Sequence, residues 1–464
     1  MKKRISRKHF RLRLDEMVAT LRHEIISGKL AVGSYLPSES DLEQRFELSN
    51  ASVRNGLKVL VDEGLIEKIA RVGNRVTCPA PDQGTVIKFG YVHDIADLVE
   101  MDTLLAEFGR QHPHIQVQPV ELPSGSYSKT LQDYMQSEIL DVVLMNNNNF
   151  QDFVENGCTE LLERIEPVED CSTFLNKPFQ QGDGLCVRPF IYSPVVLCYN
   201  RKHFEQANVP VPDSSWTWRE LLQYGRQLAV KNEHFGFYFY LPSRNRWPIF
   251  MLQSGEAFQA DAEGQYHLQS RGRLLGSLET CKDLLEMTDV FPRILSESDA
   301  DAEALFVKGK VSVIMTTYYF LNQLRQSDIV FDVSPLPGLQ DSSTLLIVNG
   351  LAISSRSSNK DAARLFVDFM TGYETQLLIR RRTLNITASR RAMEWDGEES
   401  IYRPSRFYMY REIFPTLRLI TELGLSNAQL KAIQRDIMLF LSGLQDGEDL
   451  REQLESVLSQ VSQA

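Results

Sequence analysis

The sequence lacks the features that mark secreted, membrane-spanning and zinc-binding proteins. It contains six cysteines among 464 residues without a C-x-x-C pair, so we predict reduced and mostly buried thiols. No segment approaches the roughly 18 consecutive apolar residues of a membrane helix. The first residues also lack the apolar core of a signal peptide. We therefore expect a cytoplasmic protein without membrane contact.

Motifs of common enzyme classes are missing as well. There is no G-x-S-x-G nucleophile motif, no phosphate-binding loop, no metal-ligand cluster and no lysine in the setting that a pyridoxal cofactor needs. We predict that the protein is not an enzyme and uses no cofactor or metal. Its length favours two or three globular domains.

Charge divides the chain into a basic head and an acidic body. Residues 1–80 hold 15 Lys and Arg against 10 Asp and Glu, whereas the other 384 residues hold 35 against 51. This split suits a protein whose head alone contacts a polyanion. Seven basic residues fall within positions 1–13, which form either a disordered solubilising tail or an arm that contacts phosphates.

The head has the pattern of three helices followed by a hairpin. Apolar residues at helical spacing predict the first helix, and they are Leu14, Met17, Val18, Leu21 and Ile25. An N-cap signature at Ser38 predicts a short second helix that ends near Phe46. The third helix starts at Ser49, and its surface file consists of Asn50, Arg54 and Lys58. Two short strands, within 65–69 and 71–76, then form a basic wing.

A helix with this polar file fits the major groove of DNA. Amide and guanidinium groups near its start reach base edges there, while Arg and Lys around it bind phosphates and set the register. From the residues alone, a three-helix domain that only packs against protein remains the alternative.

Four motifs across the head resemble the GntR family of bacterial regulators. They are IISGKL at 25–30, GSYLPSE at 33–39, SNASVRNGLKVL at 49–60 and EGLIE at 63–67. The resemblance implies a winged helix-turn-helix domain at 14–77 that reads DNA. The resemblance, the polar file and the wing together give the candidate DNA contacts, which are Ser38, Glu39, Ser40, Ser49, Asn50, Ser52, Arg54, Lys58, Arg71, Gly73 and Arg75. Ser40 and Asn50 replace basic residues that the family favours, which puts the usual operator sequence in doubt, whereas Arg54 is retained.

A segment with prolines and a glycine at 78–84 predicts a linker, after which strands and helices alternate. The order β-α-β-α-β over 86–145 favours a largely parallel sheet with helices on both faces. Ligands bind beyond the carboxyl ends of the strands in such sheets. That rule selects His93, Asp94, Asn146, Asn147, Asn148 and Asn149, although a run of asparagines is equally typical of a turn.

A second set of motifs runs through residues 85 to 380. It includes YN at 199–200, TWREL at 217–221, FVKGK at 306–310, PLPG at 335–338 and GLAI at 350–353. In this order the motifs resemble the solute-binding proteins of ATP-driven sugar importers, the maltose-binding-protein-like group. The resemblance implies that residues 85–464 form two α/β lobes with a ligand cleft between them. The lobes would comprise about 85–190 with 339–375 and about 195–335 with 380–464, joined by crossings near 190–194 and 335–338.

The resemblance also suggests which side chains line the cleft. A saccharide needs amides and charged groups for its hydroxyls and aromatic rings for its C–H faces. Residues of these types at the implied cleft positions are Tyr192, Ser193, Arg244, Arg246, Trp247, Tyr318 and Tyr319. Trp247 and Tyr319 are the preferred stacking platforms, with burial in the core as the alternative. Trp218, beside a capping box of Thr217 and Glu220, is predicted to be core.

The sequence therefore predicts a multidomain protein, in which a small α+β winged helix-turn-helix precedes a two-lobed α/β domain of the periplasmic-binding-protein type. We interpret it as a homodimeric transcriptional regulator that binds double-stranded operator DNA. A small effector, with a saccharide favoured, would let it control a carbohydrate uptake or utilisation operon. The alternative is the same regulator answering to a peptide, a polyamine or a protein partner.

Overall fold

A computed structural model of the chain describes residues 13–14, 17–18, 20–21, 24–25, 30–31, 33–62, 65–69, 72–77, 84–262, 266–268, 271–292, 296–398 and 401–461. Residues 1–12 of the predicted arm, residues 78–83 of the predicted linker and Arg71 lie outside these ranges. The chain divides into two compact units, Met1–Ile87 with Leu105–Gln118 and Lys88–Leu104 with Pro119–Ala464. Each unit is described by itself.

The first unit contains the winged helix-turn-helix. Its elements are α1 (Glu39–Phe46), α2 (Asn50–Asp62), β1 (Ile66–Ile69) and β2 (Gly73–Val76), preceded by helical residues between 13 and 25. The two strands pair antiparallel, with Ile66 opposite Val76. The apolar stripe of the first helix is buried in one core with Leu42, Val53, Leu57 and Leu60. The helices and the wing predicted for the head are therefore confirmed.

Local chemistry explains where α1 begins and ends. Ser38 and Asp41 exchange hydrogen bonds in a capping box, which satisfies backbone N–H groups at the start of the helix. Glu47 adopts a left-handed conformation, with φ 49°, and ends it. Arg45 makes a bidentate ion pair with the nearly buried Glu24, which fastens α1 to the preceding helical residues.

The rest of the chain alternates helices and strands. The helices are α3 (His93–Leu98), α4 (Met101–Gln111), α5 (Tyr127–Gln136), α6 (Asn147–Glu155), α7 (Thr173–Asn176), α8 (Arg201–Ala207), α9 (Trp218–Leu228), α10 (Pro248–Gln253), α11 (Arg271–Glu286), α12 (Asp299–Val307), α13 (Tyr318–Leu324), α14 (Lys360–Thr371), α15 (Tyr373–Arg382), α16 (Arg390–Glu394), α17 (Asn427–Leu441) and α18 (Gly447–Val461). The strands are β3 (Thr85–Tyr91), β4 (Ile115–Glu121), β5 (Val142–Asn146), β6 (Gln180–Gln181), β7 (Gly184–Leu185), β8 (Arg188–Asn200), β9 (Phe235–Tyr238), β10 (Phe258–Ala260), β11 (Tyr266–Leu268), β12 (Val311–Thr317), β13 (Phe331–Ser334), β14 (Thr344–Ile353), β15 (Ile386–Thr387) and β16 (Leu417–Arg418).

One large mixed sheet organises these elements. Its strands follow the order β3-β5-β14-β8-β12-β9, while β13 and β15 also pair with β8 and β16 pairs with β14. The pairs β3/β5 and β12/β9 are parallel, but β14 and β8 run antiparallel to their neighbours in this order. Within 86–145, the segment that predicts a largely parallel sheet, β3 and β5 do pair in parallel, whereas the centre of the sheet, built from later strands, is antiparallel. The physical reason is that β8 and β14 are long strands that run back across the sheet instead of closing β-α-β units.

The strand β8 connects the two halves of this sheet. Residues 188–194 pair with β14 and residues 195–199 pair with β12, so the strand changes partners at Pro194. A proline has no N–H to donate, which suits a position where one ladder ends and another begins. The change lies at the crossing near 190–194 that the family resemblance implies.

Smaller predictions concern single residues. Thr217 and Glu220 form the predicted capping box of α9, and the predicted core residue Trp218 is buried with its indole N–H donating to Gln253 Oε1 at 2.8 Å. The cysteines within the described ranges carry free thiols, and all but Cys158 are buried.

No helix in the described part of the chain has the length and apolar character to cross a membrane. In the same ranges, no cluster of His, Cys, Asp or Glu side chains is arranged to hold a metal ion.

Candidate functional site

Arg54 of α2 lies on the surface of the winged helix, where an ion pair with α1 orients its side chain. Its Nε donates to Glu39 Oε2 of α1 at 2.8 Å, while 61% of its side chain stays exposed. Asn50, one turn earlier on the same face, donates to Glu43 Oε1 at 2.5 Å. Two carboxylates of α1 thus orient the two polar side chains at the start of the candidate recognition helix.

The other candidate contacts on these helices differ in exposure. Ser40, Ser49 and Lys58 are exposed, and Ser38 is the N-cap of α1. Ser52 is buried, and its hydroxyl shares a hydrogen bond of 2.6 Å with that of Ser49. Ser52 therefore braces the turn between the helices from the inside.

The wing places a glycine and an arginine at the surface. Gly73 has φ +144°, a backbone conformation that favours glycine. Arg75 Nε donates to Glu67 Oε1 at 2.8 Å across the β1/β2 pair. Val72, in the turn of the wing, and Tyr35, which forms a β-bridge with Arg75, are also exposed, so the described surface around the wing presents apolar as well as basic groups.

A polar cavity of about 410 Å³ lies in the second unit, where several strands end. The helix after β3 contributes Asp94, the last residue of β5 contributes Asn146, and the loop before α10 contributes Asn245 and Arg246. Further polar lining comes from α12, α13 and β14 through Asp299, Glu303, Tyr319 and Asn349. The strand-end rule therefore locates the cavity, although helices supply part of its wall.

Arg246 organises the charge of this cavity. It is 2% exposed, and its guanidinium donates from Nε to Met315 O at 3.0 Å and from Nη1 to Asn245 O at 3.2 Å. Its Nη2 lies 3.5 Å from Asp299 Oδ1 and 3.9 Å from Glu303 Oε1. Arg246 thereby positions two carboxylates in the cavity wall.

Glu303 is the buried member of this group. Burial raises the pKa of its carboxyl to about 7, since a charged group loses hydration there. The positive charge of Arg246 and a hydrogen bond of 2.5 Å from Thr316 Oγ1 oppose that rise, while the charges of Asp299 and Asp94 add to it. The Glu303 carboxyl is therefore partly protonated near neutral pH.

We expect the free energy of unfolding to fall as the pH rises from 4.5 to about 7, because the folded state holds the Glu303 proton more tightly than the unfolded chain does. The contribution is complete below the unfolded pKa and is lost as the pH passes the folded pKa. A pKa shift of this size corresponds to about 3 kcal/mol in the free energy of unfolding.

Chemical denaturation across this pH range should show the decrease in the wild-type chain and its loss in Glu303→Gln. The exposed carboxylate of Glu297 supplies the control, since Glu297→Gln should keep the wild-type profile. A Glu303→Gln protein with that same profile would contradict the prediction.

Five of the predicted ligand residues meet at the cavity, namely Asp94, Asn146, Asn149, Arg246 and Tyr319. Tyr319 is only 9% exposed. Its hydroxyl donates to Ile347 O at 3.1 Å and accepts from Asn349 Nδ2 at 2.9 Å. The ring of Tyr319 thus supports the wall and offers little open face for stacking.

Four others lie in the core and do not line the cavity. Trp247 is 1% exposed, which is the alternative that the sequence left open for this residue. Tyr192 donates to Met393 Sδ, and Tyr318 donates to Phe407 O at 2.8 Å. Ser193 Oγ accepts from the backbone N–H of Tyr318 at 2.7 Å, so it joins β8 to the start of α13. These side chains stabilise the region where β8 changes partners.

The remaining predicted ligand residues also have roles away from the cavity. Asn147 Oδ1 accepts from the backbone N–H of Val348 at 2.9 Å. The carbonyl of Asn148 accepts from Asn427 Nδ2 at 2.9 Å, and Arg244 Nη2 donates to Asn427 Oδ1 at 2.8 Å. His93 is exposed and lies 3.5 Å from Glu121.

Asp299, Glu303, Asn245 and Asn349 line the cavity but were not selected from the sequence. A signal for the first two was present, because Ser298 is an N-cap residue and the i, i+4 spacing puts both acids on one face of α12. Only the fold brings that face to Arg246. The two asparagines carry no comparable sequence signal.

Comparisons with known proteins match the chain in two places. A model of the bacterial extracellular solute-binding proteins matches residues 95–377, and a model of the gntR family of bacterial regulatory proteins matches residues 14–76. A putative binding protein of Brucella abortus (strain 2308) is 24% identical over 254 residues, which cover 50% of this chain and 58% of that protein. An uncharacterized HTH-type transcriptional regulator of Mycobacterium tuberculosis is 37% identical over 87 residues, which cover 17% of this chain and 36% of that protein. The chain thus spans little more than half the length of the binding-protein relative.

Solved structures share the fold of the large α/β domain. An ABC substrate-binding protein of Listeria monocytogenes, in complex with cycloalternan, has a TM-score of 0.68 at 19% identity over 81% of this chain and 98% of its own. Maltose-bound MalE3 of T. maritima has a TM-score of 0.69 at 17% identity over 81% of this chain and all of its own, 100%. The large domain therefore has the fold of two-lobed sugar-binding proteins.

Proposed function

Because the chain belongs to the bacterial extracellular solute-binding protein family and carries a gntR-family domain at its N-terminal end, we propose that it is a transcriptional regulator that senses a small solute. One observation carries the proposal. The same chain presents an exposed, oriented Arg54 on a winged helix and encloses a polar cavity at the strand ends of an α/β domain. The first of these suits DNA and the second suits a small molecule.

A sugar or an oligosaccharide is the effector that we propose. The cavity wall offers carboxylates and amides, which are the groups that pair with sugar hydroxyls. Two proteins of the same fold have been solved in complex with cycloalternan and with maltose, which supports this choice. The regulator would then control an operon for carbohydrate uptake or utilisation.

In the proposed mechanism, the effector stabilises whichever arrangement of the large domain binds it better. That shift would change the geometry of paired DNA-binding heads. Helix-turn-helix proteins act on two half-sites related by two-fold symmetry, so we propose a homodimer that works in the cytoplasm, where operator DNA is found.

A thermal-shift screen of the full-length chain against a saccharide panel tests the proposal. One saccharide should raise the melting temperature by several degrees and change the affinity for a fragment of the regulator's own promoter. Asn245→Ala should abolish the rise, because it removes a cavity group whose Oδ1 has no hydrogen-bond partner among the described residues. Asn148→Ala, which removes an asparagine outside the cavity, should preserve it. If no saccharide changed either the melting temperature or the DNA affinity, the sugar effector would be excluded.

A further inference from the structure

The described wall of the cavity carries an excess of negative charge. Asp94, Asp299 and Glu303 line it, and Arg246 is the basic residue of that lining. Even when Glu303 is protonated, two carboxylates face one guanidinium. In a cleft of the surface, this excess attracts cations and repels anions.

Some hydrogen-bond donors of the wall are engaged by protein acceptors. The guanidinium of Arg246 reaches two backbone carbonyls and two carboxylates. Asn349 Nδ2 donates to Tyr319, whose hydroxyl donates in turn to a backbone carbonyl. Asn149 Nδ2 donates to Ser128 Oγ at 3.0 Å, and the Tyr127 hydroxyl donates to Leu144 O. The side-chain amides of Asn146 and Asn245 and the hydroxyls of Ser124 and Thr317 donate no hydrogen bond to a described residue. The wall can therefore still donate, and its excess negative charge is what discriminates between ligands.

Acceptors of the wall are open as well. The carboxylate of Asp94 is exposed and forms no hydrogen bond or ion pair with a residue that the structure describes. Asn245 Oδ1 is buried and has no partner in the described ranges either. Asp299 receives one hydrogen bond, from Ser243 Oγ at 2.6 Å, which leaves acceptor capacity on its carboxylate. A ligand that engages these acceptors must bring donors.

A protonated amine meets both requirements. It supplies three N–H donors, no acceptor and one positive charge, and its hydrogen bonds to carboxylates are stronger than those between neutral groups. A hydroxyl also donates, but it adds an acceptor and leaves the excess charge in place. The aromatic rings of the wall, Tyr127 and Tyr319, are nearly buried, so stacking contributes little to the choice of ligand.

We propose that the effector of this cavity carries a protonated amine, as an amino sugar or a polyamine does. The inference rests on the proposed function, because it specifies the ligand of the same site. It narrows the saccharides to be tested to those with an amino group, and it names the polyamines as the other source of the same chemistry.

Isothermal titration calorimetry with the full-length chain tests the inference directly. The titrants are three forms of one sugar, 2-amino-2-deoxyglucose, its N-acetyl derivative and glucose, together with the corresponding galactose series and the linear diamine putrescine. N-acetylation converts the amine to a neutral amide at the same carbon. We expect an amine to bind at least about tenfold more tightly than its neutral counterparts, which corresponds to roughly 1.4 kcal/mol.

A matched pair of variants on α3 tests the charge. Asp94→Asn removes an exposed carboxylate of the wall and should weaken binding of the amine about tenfold while leaving that of neutral sugars unchanged. Asp97→Asn removes the same charge one turn along α3, at an exposed position outside the cavity lining, and should change neither. Equal losses in both variants would overturn the inference.

The outcomes separate this inference from the proposed function. If neutral or N-acetylated sugars bind as tightly as the amines, the inference fails and the sugar-sensing regulator stands. If the diamine alone binds, the inference holds and a polyamine replaces the saccharide as effector. If no amine binds, the inference fails, and the saccharide screen with the promoter fragment decides the proposed function independently.

Discussion

Arg54→Ala is expected to abolish footprinting on the regulator's own promoter, with a loss of affinity of about 10- to 100-fold. Arg54 is exposed on α2, the proposed recognition helix, and its bond to Glu39 orients the guanidinium before DNA arrives. A guanidinium fixed in this way reaches the hydrogen-bond acceptors of a guanine without further loss of side-chain freedom. The truncation removes both the proposed base contact and the positive charge of the guanidinium.

Two other variants distinguish recognition of bases from general electrostatic attraction to DNA. Arg435→Ala removes an equal charge from the exposed surface of α17 and should leave the footprint unchanged. Lys58→Ala, at an exposed position two turns after Asn50, should weaken binding to all sequences alike and reduce the salt dependence by about one unit of slope. Unchanged promoter affinity in Arg54→Ala would refute the assignment of α2 as the recognition helix.

The winged helix was predictable because each sequence pattern that defines it lies within a short stretch of the chain. The stripe from Leu14 to Ile25, the N-cap at Ser38 and the apolar face of α2 each lie within a few turns of sequence, and the structure buries or caps them as predicted. The centre of the large sheet was not predictable in the same way. Strands β8 and β14 meet across about 150 residues, and nothing in either segment encodes the antiparallel pairing.

The cavity illustrates the same limit at the level of single residues. Asp94 lies just after β3 and Asn146 is the last residue of β5, so the rule for strand ends found them. Arg246 and Tyr319 came from the family resemblance, which also selected Trp247 one position further on. Of two adjacent residues, one can face the cavity and the other the core, because successive side chains in a helical or turn segment point about 100° apart. Sequence spacing alone does not fix that rotation in a loop.

Arg246→Met is expected to destabilise the large domain by about 3–5 kcal/mol, because truncating one partner of a buried ion pair leaves the other charge uncompensated. Asp299 is about one-third exposed, so water can compensate it, whereas Glu303 is almost enclosed. Without Arg246, the pKa of Glu303 should rise further, since the guanidinium is a cause that lowers it. The loss of stability measured by denaturation should therefore be larger at about pH 8 than at about pH 5, where Glu303 is protonated with or without its partner.

The double variant Arg246→Met/Glu303→Gln identifies the source of this effect. Removing both charges together replaces a broken pair by a neutral one, so most of the lost stability should return and the sensitivity to pH should disappear. A single variant as stable as the wild-type chain, or a double variant no more stable than the single, would refute the ion-pair explanation. Since the double variant is expected to fold, its ligand affinity is informative in its own right. A folded double variant that no longer binds the effector would assign the pair to recognition, and one that binds normally would assign it to the stability of the wall.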